Sequence, residues 1–503
     1  MSQKELAKQE NFKNQKEFLE KDPIWKIIFK LSFPTIMMFL AVAIYGLVDT
    51  ILATQLTTDV PGYDLDTAVI SMGYALSYIA ILNTFTILIN VGAVIHYSSL
   101  VSKNNLEEAK IFIGSTISGS IIFNTTIAAI GIVIARPIII LLSGTNSVNT
   151  NDIDAAVLYA QIASITIVIN GLYDLLIRYI RTMGKPTTSA ILGVSGIPVN
   201  ILFDYIFMGP AGLGIEGAAI ASIVGYSFTL LISLIYLFYD KRNNSEHIII
   251  TNWKNLKPNL NYVLVAMMIG VPAFVRNILM TVNSFSFSAF TNSISVSQES
   301  IGIGSTEKFL STASSVYSQL NTLITSMMRG ITQGSVVILA YNYSQKNFSR
   351  VKDGVKWMFI YMFGIIIFIA SIVYPLTPQL ANLFTNGDSK AYSNNSLNYA
   401  IMAMITSTFV YGINLVVFGL LNSTKQVKNS LIATFISSLL IFFIIVPVFS
   451  TQFSWEISVW SLTISNGLSV LILVPWCIHI LNNLDSIYKK RENHEAASKL
   501  KYN

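Results

Sequence analysis

Twelve apolar runs, each at least 20 residues long, follow one another along this 503-residue chain with polar breaks between them. A helix needs about 20 apolar residues to cross a bilayer, and lipid offers its backbone no hydrogen-bond partners. The runs therefore read as membrane-spanning helices, at about 31–55, 67–101, 108–142, 152–182, 187–209, 214–239, 261–293, 303–341, 354–385, 396–422, 429–448 and 454–483. Composition agrees: 53% of residues are hydrophobic and 12% charged, against about a quarter charged in a soluble domain. The expected fold class is an all-α polytopic membrane protein, with the lipid bilayer as its first partner. A net charge of +6 is too small to argue for nucleic acid. The single cysteine, Cys477, excludes an intramolecular disulfide. The first 30 residues hold seven lysines and no apolar core ahead of a cleavage site, so no signal peptide is expected. They read as a cytoplasmic tail, an amphipathic or frayed helix.

Orientation follows from lysine and arginine, which accumulate on the cytoplasmic side. With a cytoplasmic amino terminus, 27 of the 32 basic residues fall in the tails and inside turns, and the outside loops offer only Lys390. Both termini are then cytoplasmic and the number of spans is even. The longest inside connection, 240–260, separates an amino-terminal lobe at 31–239 from a carboxyl-terminal lobe at 261–483, leaving a tail at 484–503. The halves echo each other. Pro34 corresponds to Pro272 at an offset of 238, and Gly92, Val94, Ser102, Asn105 and Lys110 match Gly334, Val336, Ser344, Asn347 and Lys352 at 242. The turn Gly184-Lys185-Pro186 is expected opposite Ser423-Thr424-Lys425. Six spans repeated in one orientation form a parallel repeat, a construction common in secondary transporters.

Almost all acidic residues lie in tails and loops. Asp49 and Asp204 are the clear exceptions, and a carboxylate inside a span is a functional-site hypothesis by default. With the span directions above, Asp49, Asp204, Tyr159 and Ser222 come to a common depth, roughly 8–12 Å below the outer surface. Asn200 joins them one helical turn from Asp204. Oxygen ligands suit a proton or a hard cation such as Na⁺, and paired acids raise one another's proton affinity. A Na⁺ ion would sit at Asp49, Asn200 and Asp204. The alternative is that each group only bonds to a neighbouring helix.

The second half lacks these carboxylates: Phe287 stands where Asp49 would recur. Tyr45, Arg276, Asn277, Met280 and Asn283 are the candidates for a substrate cavity. Arg276 either lines a pathway or pairs with a carbonyl or helix end. Arg136 and Glu216 lie near outer ends and can snorkel. Asp174 and Arg178 have the i,i+4 spacing of a structural ion pair. There is no HExxH, GxSxG or GxxxxGK[ST] motif, so neither an embedded enzyme nor a nucleotide-driven pump is expected, and no cofactor.

Gly46-Leu47-Val48-Asp49-Thr50 resembles the acidic first-helix motif of the multidrug and toxic compound extrusion (MATE) transporters. Arg181-Thr182-Met183-Gly184-Lys185-Pro186, then Asn200 and Asp204, then Gly214 through Ser222, follow that family's fourth-to-sixth-helix pattern in order. Ile331-Thr332-Gln333-Gly334 with Tyr341-Asn342-Tyr343 resembles the end of its eighth helix. The likeness covers about 25–480. It implies two six-helix lobes around a V-shaped central cavity, export of drugs or organic cations by antiport with H⁺ or Na⁺, and a plasma-membrane monomer. It also implies that Asp49, Asn200, Asp204, Ser222 and Tyr159 form an amino-lobe cation site. Some relatives carry a glutamate on helix seven and an aspartate on helix ten, where this chain has about Met280 and Tyr411, so no carboxyl-lobe Na⁺ site is expected. The polar stretch at 291–308 is a further departure. The rival within the superfamily is a flippase of lipid-linked oligosaccharides or other lipids, with Arg276 and Arg329 contacting phosphate.

Overall fold

The computed structural model describes residues 22–56, 65–143, 150–243, 256–292, 306–384, 396–490 and 492. The amino-terminal tail to residue 21, the turn with Lys390 and most of the 291–308 stretch lie outside the described residues. All regular structure among the described residues is helical. The helices are α1 (Ile24–Leu56), α2 (Leu65–Ser102), α3 (Leu106–Ser143), α4 (Thr150–Ser164), α5 (Thr166–Thr182), α6 (Pro186–Val194), α7 (Ile197–Met208) and α8 (Gly214–Asn243). There follow α9 (Leu260–Asn292), α10 (Thr306–Ser344), α11 (Phe348–Phe384), α12 (Ser396–Ser423), α13 (Val427–Thr434), α14 (Ile441–Gln452), α15 (Trp455–Ser458) and α16 (Ser461–Asn482). A π-helical turn, Phe435–Leu440, joins α13 to α14.

Eleven of the described spans are long and apolar enough to cross a membrane, and the bent pair α4–α5 makes a twelfth. The outward faces are as apolar as the interior: Val133 is 78% exposed, Leu141 75% and Leu471 71%. That pattern is costly in water and ordinary against lipid chains.

Four spans deviate from a continuous α-helix, the last of them between α15 and α16, and at the other three small hydroxyl residues lie at the deviation. The 40° bend between α4 and α5 falls at Ile165. On either side, Ser164 Oγ donates to the Ala160 carbonyl at 2.7 Å and Thr166 Oγ1 to that of Ala163 at 2.6 Å. Such back-bonding loosens the i→i−4 ladder and bends helices. The α6–α7 span breaks at Ser195-Gly196, just before Pro198, which has no N–H to donate. The third is the π turn, at whose start Thr434 and Ser437 bond back in the same manner.

The described residues form two compact units: Lys30–Thr281 in one, and Pro23–Phe29 with the chain from Val282 onward in the other. In the first, α2 and α9 cross backbone against backbone. A Cβ on Gly92 would lie 1.8 Å from the Ala266 carbonyl oxygen, and one on Gly270 1.9 Å from that of Leu88. Burial drives little helix association within lipid, so this close approach of small residues is the packing that holds a crossing. In the second unit, Trp25 and Phe29 pack on Trp357 and Tyr361, and Tyr361 Oη donates to the Trp25 carbonyl at 3.1 Å.

The repeat is visible in the backbone. Asn104 and Lys346 both adopt left-handed φ, 59° and 60°. Asn104 N–H bonds to the Val101 carbonyl and Asn105 N–H to that of Leu100, as Lys346 bonds to Tyr343 and Asn347 to Asn342. Gly184 (φ 78°) and Lys425 (φ 54°) form a second such pair, with Gly184→Arg181 and Lys185→Ile180 matched by Lys425→Asn422 and Gln426→Leu421. The expected partner of Gly184, Ser423, is therefore corrected by two residues, because the left-handed position rather than the loop's first residue defines the match. All four are Schellman-like helix ends.

Candidate cation-binding site

Four helices of the first unit bring polar side chains to one place. Asp49 and Tyr45 come from successive turns of α1, and Asp204 and Asn200 from successive turns of α7. Ser222 and Tyr226 come from successive turns of α8, and Tyr159 from α4. Asp49, Tyr159, Asn200 and Asp204 are all buried, Asp204 completely. The Asp49 and Asp204 carboxyls are within hydrogen-bonding reach of each other when one carries a proton. Tyr45 Oη bonds to Ser222 and has Asp49, Asp204 and Tyr226 as electrostatic neighbours. Tyr159 and Tyr226 each see both carboxylates.

With both acids ionised, Asp49 Oδ1, both oxygens of Asp204 and Asn200 Oδ1 have no donor within bonding distance. Buried acceptors left in that state are costly. A proton shared by the two carboxyls satisfies part of the deficit, and a small cation taking carboxylate, amide and hydroxyl oxygens satisfies more of it. Among the described residues no three His, Cys, Asp or Glu side chains cluster as a metal site. The donors here are all oxygen, two of them anionic, which fits a proton or a hard monovalent ion rather than a transition metal.

A narrow cavity runs from this group along the unit. Its walls are Val42 and Tyr45 of α1, Tyr173 of α5, Gly193, Gly196 and Asn200 on the α6–α7 span, and Ser222, Gly225, Tyr226 and Thr229 of α8. Glycine lets two of these walls pack closely: a Cβ on Gly196 would lie 2.2 Å from the Gly225 carbonyl oxygen, and one on Gly225 2.6 Å from Asn200 Cβ. Tyr173 and Tyr226 stack across the cavity with ring centroids 5.6 Å apart.

The five residues expected at a cation site are brought together. Tyr45, expected in a substrate cavity, belongs to the same group. Tyr226 was missed, although its i+4 spacing from Ser222 was a usable signal. Arg276, Asn277, Met280 and Asn283 lie on α9, which contributes nothing to this cavity. Asn277 Nδ2 donates to the Ala273 carbonyl at 2.7 Å, and Asn283 Oδ1 is buried without a donor. Asp174 and Arg178 form the expected ion pair at 2.7 Å, with Asn90 donating to the same carboxylate at 2.8 Å. Arg136 pairs with Asp154 of α4.

The second half has a neutral network where the first has acids. Phe287 packs edge-on against Tyr317, with centroids 6.1 Å apart. Tyr317 Oη bonds to Ser407 at 3.2 Å, Thr408 Oγ1 donates to Asn321 at 2.8 Å, and Asn466 donates to the Ser407 carbonyl at 3.2 Å. These hydroxyls and amides bond to one another, and no carboxylate is among them.

A helical membrane protein of two repeated halves, with an acid pair buried in one of them, has the construction of a secondary transporter. The chain matches the MatE family profile twice, over residues 34–206 and 272–448, and belongs to that family of multidrug efflux transporters. The two matches start 238 and end 242 residues apart, which are the offsets read between the halves. It is 23% identical over 459 residues to the multidrug export protein MepA of Staphylococcus aureus strain MRSA252, covering 90% of this chain and 93% of that one. It is likewise 23% identical over 458 residues to MepA of Staphylococcus saprophyticus, with the same coverage. The fold is shared with a MATE transporter in complex with MaL6 (TM-score 0.82, 17% identity, 93% of this chain and 99% of that one). It is also shared with an outward-facing multidrug resistance MATE transporter of the MOP superfamily (TM-score 0.81, 16% identity, 93% and 98%). Members of this family are transporters rather than enzymes and need no cofactor.

Proposed function

We propose that the protein exports drugs or organic cations across the plasma membrane by antiport with H⁺ or Na⁺, its two lobes alternating access to a central cavity. Both termini face the cytoplasm in this reading, the protein acts as a monomer, and the substrate is a cationic amphipath. The observation that carries it is the Asp49–Asp204 pair, two carboxyls buried in one helical unit with three of their oxygens, and that of Asn200 beside them, lacking donors. A buried pair of this kind favours a proton or cation strongly, and its occupancy differs between conformations that hydrate it differently. Coupling requires that difference, since an ion bound equally well in both states shifts nothing. Neutralising the pair relaxes the repulsion between α1 and α7, and α1 is free to rearrange and release substrate. Tyr45, Tyr159, Tyr226 and Ser222 orient the acids, and Asn200 supplies a neutral ligand one turn away. Efflux of cationic dyes from proteoliposomes, under H⁺ and Na⁺ gradients imposed separately, tests the proposal. Transport driven by one of the two gradients is expected, and dye movement indifferent to both overturns it.

A further inference from the structure

The cavity beside the acid pair has Gly193 in its wall, together with Val42 and Tyr45 of α1 and Tyr173 of α5. Along α1 the same face continues from Asp49 through Tyr45 and Val42 to Met38, and along α5 from Tyr173 through Ile177 to Arg181. The two faces meet at Gly193, where a Cβ would lie 2.6 Å from the Met38 sulfur and 3.5 Å from Ile177 Cδ1. There Arg181 Nη2 sits 3.8 Å from the Met38 sulfur. Arg181 is only 4% exposed, and its Nε has no acceptor. Its charged neighbours are Arg178, which repels it, and Asp174, which Arg178 already holds at 2.7 Å.

A buried guanidinium without a carboxylate of its own is expensive to keep, and its neighbour here is a soft thioether that compensates little of that cost. Its position explains its use. An acid pair that attracts cations, beside a cavity walled by its neighbours Tyr45, Asn200, Ser222 and Tyr226, offers cations a route for leakage along the lobe. A fixed positive charge at the far end opposes that leak, as an arginine in a pore opposes cation passage.

We infer that Arg181, capped by Met38, closes the inner end of the amino-lobe cavity to the coupling cation, so that ions reaching Asp49 and Asp204 leave only through the conformational cycle. The inference rests on the proposed function for the identity of the ion site. It adds a barrier residue that does not bind the ion. Tyr173 and Arg181 are eight residues apart on α5, about 12 Å along the helix. A unit charge at that distance, at an effective dielectric of about 20, changes cation occupancy about tenfold.

The test is the substrate-free leak of H⁺ and of Na⁺ into proteoliposomes holding the full chain, read with pH- and Na⁺-sensitive dyes. Arg181→Gln should raise the leak of the coupling ion about tenfold, while Arg181→Lys, which keeps the charge, should stay near wild type. Met38→Ala, which removes the cap and keeps the arginine, should leak to a smaller degree and is the reading to rely on if Arg181→Gln fails to fold. Tight vesicles from a folded Arg181→Gln protein, or from Met38→Ala where that protein cannot be made, overturn the barrier. Adding Asp49→Asn to Arg181→Gln separates the two ideas. A leak abolished by Asp49→Asn supports both. A leak indifferent to it keeps the barrier and overturns the acid pair as the entry site.

Discussion

Gly92 and Gly270 pin α2 to α9 with each glycine facing the other helix's carbonyl, a reciprocal contact that leaves no room for a side chain on either. Replacing either by leucine must push two backbones apart. Gly92→Leu and Gly270→Leu should each destabilise the folded protein by about 1–3 kcal/mol or more. Thermal unfolding in detergent is the measurement, and Gly364→Leu, at a position with nothing near its Cβ, should be nearly neutral.

Asp49 and Asp204 should behave as one titrating unit, because burying two bare negative charges together is costly. Asp49→Asn and Asp204→Asn are each expected to reduce gradient-driven dye efflux to the background of protein-free vesicles, with expression and thermal stability retained. The double variant should be little worse than either single one. Near-normal coupled export by both single variants would make the pair structural.

Arg276→Ala should leave ion coupling intact while altering substrate range, since Arg276 lies on α9 and outside the cavity beside the acids. Ion binding is read from the gradient dependence of efflux, and substrate range from a panel of dyes. Lost ion binding with unchanged substrate affinity would place the coupling site elsewhere.

Topology has its own check. Tags at both termini should react only from the cytoplasmic side, and a reporter inserted at 56–66 only from outside. Termini on opposite faces would remove the twelve-span arrangement.

Much of the fold is legible in the sequence because lipid makes composition decisive: a run such as 354–385 can be little else than a span. The acid pair is legible for the same reason, since Asp49 and Asp204 break apolar runs where charge is costly. What escaped depends on neighbours. The bend at Ile165 comes from two hydroxyls choosing carbonyls of their own helix, and serine or threonine in a span does so only in some settings. Tyr226 escaped because an aromatic on an apolar helix reads as filler until α1 and α7 are placed beside it. Arg181 stands in the sequence only as the start of the Arg181–Pro186 motif, and the fold is needed to show it enclosed behind Met38.

Between the halves the left-handed position has changed from Asn104 to Lys346 and from Gly184 to Lys425, while the ring of hydrogen bonds around each has kept its pattern. A left-handed lysine costs about 1–2 kcal/mol that glycine avoids, so both lysines of the second half sit against local preference. Descent from a single six-helix ancestor is thus preserved in torsion angles after most of the letters have been overwritten. Genealogy in such a chain is read more faithfully from where the backbone must turn than from the side chain found at the turn.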